Sequence, residues 1–141
     1  MQDKQERANS PDKLQGVEKG RILVVDDQEA IRRLLFMALR EQGFAVKAVA
    51  SGEEALEAIE ALRPDLVFLD WKMPGMGGNE VLGRLRVSNY AGRVVIMTAY
   101  PEVCGATPPA KPALPQYLVK PFDLRDLFEV VGQSGVSPQV A

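Results

Sequence analysis

Short apolar runs alternate with helical patterns along the central part of the chain. Five runs rich in Val, Ile and Leu are only three to five residues long, which favours strands buried on both faces of a sheet. Between most of these runs, apolar residues recur at intervals of three and four, as on one face of an amphipathic helix. This alternation is typical of βαβ units and a parallel sheet. The predicted strands are 22–25, 45–49, 66–69, 94–97 and 117–119.

Helices are predicted after the first, second, third and fifth strands. The second helix begins at Ser51, which has capping-box spacing with Glu54, and it ends before Pro64. The third spans about 79–87. The first, which ends before Gly43, and the last carry inward stripes at Ile31, Leu34, Leu35, Ala38 and Leu39, and at Leu124, Leu127, Phe128 and Val131.

Polar residues follow the predicted strands directly. Right-handed crossovers between parallel strands place helices on both faces, so we expect an α/β, doubly wound five-stranded sheet. Ligands of such sheets bind outside the carboxyl ends of the strands. One cleft at that edge is therefore expected to gather Asp26 and Asp27 after the first strand, Asp70 after the third, Thr98 after the fourth and Lys120 after the fifth.

Composition and charge restrict the possible partners. Seventeen basic and nineteen acidic residues give a net charge of −2, so nothing favours nucleic acid or a membrane, and we expect protein partners. The chain has one cysteine and no histidine, which excludes a phosphohistidine donor and any His-based site. No signal peptide or membrane span is visible, which predicts a cytoplasmic protein. We expect a disordered tail at 1–19, one domain at 20–132 and a frayed tail at 133–141.

The gathered residues predict phosphoryl chemistry with a metal ion. Three carboxylates repel one another unless a cation binds, and oxygen ligands favour Mg²⁺ or Mn²⁺. Asp70 is the best candidate for a phosphoryl acceptor, because it stands alone at a central strand end. Taken singly, the acid pair fits a solvated helix start better than a metal site, Thr98 and Lys120 fit a turn hydroxyl and a solvated surface charge better, and Asp70 is also compatible with a helix cap or turn residue.

Four blocks of the sequence resemble the response-regulator receiver domains of two-component signalling. The blocks are ILVVDDQE, LVFLDWKMPGMGG, VVIMTAY and YLVKPF, and the resemblance covers about residues 20–131. It implies a flavodoxin-like sheet with strand order 2-1-3-4-5.

The resemblance also implies residue roles. Asp70 would be the phosphoacceptor, and Asp27 would bind the metal more directly than Asp26. Tyr117 would be an aromatic switch, although a core aromatic at a strand edge is an equally good interpretation of it. The implied sets are Asp26, Asp27, Asp70 and the backbone carbonyl of Lys72 for the metal, Thr98 and Lys120 for the phosphate, and Thr98 and Tyr117 for the switch.

One stretch departs from the family pattern. Receivers normally have a helix between the fourth and fifth strands, but residues 99–116 here include prolines at 101, 108, 109, 112 and 115. Each proline inside a helix costs about 3 kcal/mol. We therefore predict that this fourth helix of the family is short, missing or mobile.

The leading functional hypothesis is a stand-alone receiver. It would accept phosphate on Asp70 from a histidine kinase or a histidine phosphotransfer protein, and signal or relay through protein binding as a monomer or weak homodimer. It would not be an enzyme beyond slow self-dephosphorylation. The alternatives are a metal-dependent phosphohydrolase with an aspartyl-phosphate intermediate, and a degenerate receiver that binds partners without phosphorylation.

Overall fold

Five strands and four helices make up the described part of the chain. The structure is a computed structural model that describes residues 20–100 and 116–133. The strands are β1 (Arg21–Val25), β2 (Ala45–Val49), β3 (Leu66–Asp70), β4 (Arg93–Thr98) and β5 (Gln116–Val119). The helices are α1 (Glu29–Glu41), α2 (Gly52–Leu62), α3 (Gly78–Val87) and α4 (Leu124–Gln133).

All five strands are parallel and form one sheet in the order β2-β1-β3-β4-β5. This confirms the predicted α/β class and the strand order 2-1-3-4-5. Each strand was predicted within one residue of its observed ends, because short, mostly apolar runs rich in β-branched residues favour strands over helices.

Apolar side chains of the sheet alternate between two cores. In β1, Ile22 and Val24 belong to a first core, and Leu23 and Val25 belong to a second. Helices α1 and α4 cover the first core, whereas α2 and α3 cover the second. The central strands are therefore buried on both faces, as the sequence predicts.

Two residues of the predicted inward stripes are exposed. Leu34 is 40% exposed and Leu124 is 42% exposed. Neighbouring residues in a helix are about 100° apart, so Leu34 lies beside the buried stripe of Leu35, Ala38 and Leu39. Leu124 is the first residue of α4, and the buried residues of that helix begin one turn later. Both predictions of inward orientation were wrong.

The amino end of α2 is capped as predicted, with one difference. Ser51 Oγ accepts a hydrogen bond from Glu54 N at 3.2 Å. The Glu54 carboxylate accepts in return from Ala50 N at 2.9 Å, one residue before the expected partner. These two bonds fix the start of α2 against the end of β2.

Three sequence predictions lie outside the described residues. The predicted tails, apart from Gln133 in α4, and the predicted loss of a helix within 101–115 belong to this group. Among the described helices, none combines the length and the apolar character that crossing a membrane requires.

Candidate functional site

Three carboxyl groups meet at the carboxyl edge of the sheet. Asp26 directly follows β1, and Asp70 ends the neighbouring strand β3. Asp26 is fully buried and Asp70 is 4% exposed, whereas Asp27 is exposed. One oxygen of each carboxyl group lies within 4.8 Å of the other two. This spacing and the all-oxygen donor set fit a hard divalent cation.

The Asp26 carboxylate is held on both of its oxygens. Oδ1 accepts from Gln28 N at 2.9 Å, and Oδ2 accepts from Lys120 Nζ at 3.1 Å. The main chain is fixed as well, since Asp26 N donates to Val49 O at 3.2 Å. The Asp26 side chain is therefore buried and fixed in position, while Asp27 is exposed to solvent.

Lys120 joins the acids on the first and third strands. Its Nζ lies 3.1 Å from Asp26 Oδ2 and 3.2 Å from Asp70 Oδ1. Its backbone N donates to Thr98 O at 2.8 Å, and its peptide bond to Pro121 is cis. The ammonium group thus occupies the centre of the cleft.

The electrostatics of this cluster favour an added cation. Burial, together with the negative charge of Asp26, raises the pKa of Asp70 to about 7, and Lys120 only partly offsets this. Burial alone would lower the pKa of Lys120, but the charges of Asp26 and Asp70 raise it overall. One ammonium group is thus not enough to keep Asp70 fully ionised near neutral pH. A divalent cation would supply the missing charge.

Thr98 and Tyr117 lie on adjacent strands with their side chains on the same side of the sheet. Thr98 pairs with Val119 and Ile96 pairs with Tyr117 in the β4–β5 ladder. Thr98 is buried, and its Oγ1 accepts from Tyr100 N at 3.1 Å, a bond that uses a lone pair of the hydroxyl and not its proton. Tyr117 is partly buried against the second core. This placement is compatible with both interpretations of Tyr117.

The loop between β3 and α3, residues 71–77, is closed tightly at its base. Trp71 N donates to Met97 O at 3.0 Å, and Gly78 N donates to Trp71 O at 3.0 Å. A Cβ at Gly78 would lie 2.7 Å from Asp70 O, so only glycine fits there. Lys72 is exposed in this loop, two residues after Asp70. The metal-binding role of its carbonyl stays a prediction.

Sequence reasoning missed Arg32. Its guanidinium donates to the backbone carbonyl of Asp26 at 2.8 Å, so it helps to fix the acid pair. The available signal was weak: a basic residue in the first turn of a helix runs against the helix dipole.

A family model described as response regulator receiver domain matches residues 22–132. The chain belongs to this family. This receiver is 40% identical over 111 residues to sporulation initiation phosphotransferase F of Bacillus subtilis, covering 79% of this chain and 90% of that protein. It is 38% identical over 111 residues to regulatory protein AtoC of Escherichia coli, of which it spans 24%.

Solved structures agree with this assignment. Response regulator protein TrrA of Thermotoga maritima, in complex with Mg²⁺-BeF, is 38% identical, with a TM-score of 0.69 over 80% of this chain and 96% of that chain. Chemotaxis response regulator CheY4 of Vibrio cholerae is 29% identical, with a TM-score of 0.71 over 81% of this chain and 97% of that chain. Receiver domains are phosphoacceptors of two-component systems that interact with histidine kinases or phosphotransfer proteins.

Proposed function

We propose that this receiver accepts a phosphoryl group on Asp70 from a phosphohistidine of a separate protein, in a reaction that needs Mg²⁺. The observation that carries the proposal is the contact of Lys120 Nζ with Asp26 and Asp70 beside exposed Asp27. A strand-end carboxylate, an acid pair and a lysine in one cleft provide an acceptor, a cation site and a phosphate ligand. A separate donor is needed, because the chain has no histidine.

The cation site uses oxygen ligands alone. Asp26, Asp27, Asp70 and the carbonyl of Lys72 would hold Mg²⁺, or Mn²⁺ in its place. When bound, the ion supplies positive charge that neutralises the phosphoryl oxygens. The Mg²⁺-BeF complex of the relative TrrA supports this choice of metal.

Asp70, Lys120 and Thr98 have different roles in the phosphoryl transfer. An oxygen of Asp70 attacks phosphorus, the new P–O bond forms, and the P–N bond to the donor imidazole breaks with its electron pair returning to nitrogen. Lys120 exchanges its contact with Asp70 for one with a phosphoryl oxygen. The Thr98 hydroxyl donates a hydrogen bond to another phosphoryl oxygen.

The output of the receiver is protein binding. Phosphorylation adds up to about two negative charges and three strong acceptors at Asp70. Movement of Thr98 toward these acceptors vacates space that Tyr117, on the same side of the sheet, then fills. The similarity to almost all of a sporulation phosphotransferase supports a relay to another protein as one form of output. Slow self-dephosphorylation, a cytoplasmic location and a monomer or weak homodimer remain parts of this proposal.

The proposal is tested by labelling the acceptor. Wild type, Asp70→Asn and Asp65→Asn are each mixed with beryllofluoride or a labelled acyl phosphate, with and without Mg²⁺. Asp65→Asn is the matched control, because Asp65 is exposed at the opposite end of β3. We expect one Mg²⁺-dependent label on the wild type and the control, and none on Asp70→Asn.

Two outcomes contradict the proposal. Labelling of Asp70→Asn to the wild-type level would show that another residue is the acceptor. Absence of label on the wild type would favour a degenerate receiver. Rapid multiple turnover on small phosphate esters would instead favour the phosphohydrolase.

A further inference from the structure

Gly52, the first residue of α2, touches the loop that follows Asp70. An ideal Cβ at Gly52 would lie 2.8 Å from Met76 O and 2.9 Å from Met76 Cβ and Cγ. Its φ lies outside the left-handed region, so glycine is required here by space and not by backbone conformation. Gly75 in the same loop shows the opposite case, with φ +72 and no atom near its Cβ position.

The start of α2 is a rigid support for this contact. Ser51 Oγ accepts from Glu54 N and the Glu54 carboxylate accepts from Ala50 N, which fixes the turn that enters the helix. Gly52 is buried and Met76 is partly buried against the second core. A side chain added at Gly52 would therefore displace the Met76 backbone, because the carbonyl oxygen cannot rotate away as a flexible side chain does.

The β3–α3 loop has few other attachments on this side. Its base is tied by the bonds of Trp71 and Gly78, and Met73 is buried in the second core. Lys72, Pro74 and Gly75 between these points are exposed. The contact of Met76 with Gly52 is one attachment of the far side of the loop to another element, beside the packing of Met73 and Met76 in the second core.

The segment that leads to Gly52 also contacts Asp26. Val49, the last residue of β2 and three residues before Gly52, accepts a hydrogen bond from Asp26 N at its backbone O at 3.2 Å, which continues the pairing of β1 with β2. Residues 49–52, from the end of β2 to the start of α2, therefore contact both the backbone of Asp26 and the loop after Asp70.

We propose that Gly52 is a positioning residue for the metal ion: its contact with Met76 sets the distance between the loop after Asp70 and the acid pair. This inference rests on the proposed Mg²⁺ site. Gly52 itself would not contact the metal. It would act through the β3–α3 loop, which follows Asp70 and carries Lys72.

The test compares Mg²⁺ binding by two alanine variants of glycine. Gly52→Ala is expected to bind Mg²⁺ roughly threefold to tenfold more weakly, because displacement of supporting groups around a metal lowers its affinity. Gly83→Ala is the matched control, since Gly83 lies in α3 with no atom within 4 Å of its Cβ position, and it should bind as the wild type does. Binding is followed by the fluorescence of Trp71, the only tryptophan in the sequence, and by backbone amide shifts.

A second variant separates positioning from folding. Met76→Ala keeps the Gly52 site open but removes the side chain that packs there, and it should also weaken Mg²⁺ binding. Thermal unfolding without Mg²⁺ shows which variants are folded during the titration. If Gly52→Ala does not fold, the Mg²⁺ affinity of Met76→Ala serves as the test. Wild-type Mg²⁺ affinity in the folded variants, even with a lower melting temperature, would overturn this inference alone. Absence of Mg²⁺ binding by the wild type would overturn the proposed function as well.

Discussion

The charged side chains at the two ends of the sheet differ in burial: they include buried groups at the carboxyl end and are exposed at the amino end. At the carboxyl end, Asp26 and Asp70 are buried with Lys120 between them. At the amino end, Arg21 and Asp65 are exposed, and Asp65 Oδ2 accepts from Arg21 N at 2.8 Å. Every buried polar or charged residue of the described part lies at the carboxyl end.

Because of this difference in burial, we expect charges at the two ends of the strands to affect the stability of the fold differently. A buried carboxylate without full compensation destabilises the folded state, so we expect the carboxyl end to lower the stability of the metal-free protein. The amino end satisfies backbone groups with exposed or partly buried partners, which adds stability without reactive charge. Substitutions at the two ends should therefore change stability and metal binding in different combinations.

The largest effect is expected for Lys120→Met without Mg²⁺. It leaves the Asp26 and Asp70 carboxyl groups facing each other without a cation, and we expect a loss of about 3 kcal/mol in the free energy of unfolding. Urea unfolding at pH 8 in the presence of a chelator measures it. Lys47→Met is the matched control, because Lys47 is exposed on the edge strand β2 and its loss should change stability by about 0.5 kcal/mol or less.

A double substitution checks the cause of that loss. Asp70→Asn should raise the free energy of unfolding by more in Lys120→Met than in the wild type, since it removes one of two facing charges that no longer have a cation between them. If Asp70→Asn has the same effect in both backgrounds, then packing of the lysine stem, and not charge, explains the loss in Lys120→Met.

Asp70→Asn alone is expected to stabilise the metal-free protein by about 2 kcal/mol at pH 8. The folded pKa of Asp70 is about 7, above its ordinary value of 3.8. The folded protein therefore holds the Asp70 proton more tightly than the unfolded chain does. The stability linked to this proton is fully present below about pH 4 and is lost as the pH rises through 7. Asparagine carries no such proton, so the advantage of the variant should grow over this range and then level off.

In the presence of Mg²⁺, the wild type should become more stable than Asp70→Asn. The wild type should gain stability from a bound ion by mass action, whereas Asp70→Asn would lack one of the proposed carboxylate ligands. Melting temperatures recorded at increasing MgCl₂ provide the measurement. A stabilising effect of Asp70→Asn that is independent of both pH and Mg²⁺ would show that charge repulsion at Asp70 is not its origin.

The strands and the residues at their ends were predictable, because both follow from local sequence. Apolar runs such as 22–25 define strands buried on both faces, and the parallel arrangement brings the residues after them to one edge. The different burial of Asp26 and Asp27 was not predictable. It depends on Gln28 N and Lys120 Nζ, and the second of these comes from 94 residues away in the chain.

Close approaches between distant elements were equally hidden from the sequence. The role of Gly52 was not visible in the sequence, since its contact with Met76 exists only once α2 and the β3–α3 loop are packed together. Leu34 was misplaced for a related reason. A stripe of apolar residues indicates which face is buried but not how wide the contact with the sheet is.

The smallest effect is expected at the amino end, for Tyr90→Phe. Tyr90 OH donates to Pro64 O and its ring lies across Gly92, closing the gap between the turns before β3 and β4. Loss of the hydroxyl leaves a carbonyl without this donor, which should lower the free energy of unfolding by about 1 kcal/mol. Mg²⁺ affinity should stay at the wild-type value, because the proposed cation site lies at the other end of the strands. Urea unfolding and a Mg²⁺ titration on the same sample test both expectations. A fall in Mg²⁺ affinity alongside the lost stability would mean that the two ends are coupled through the strands, and that the division between a stabilising end and a reactive end does not hold.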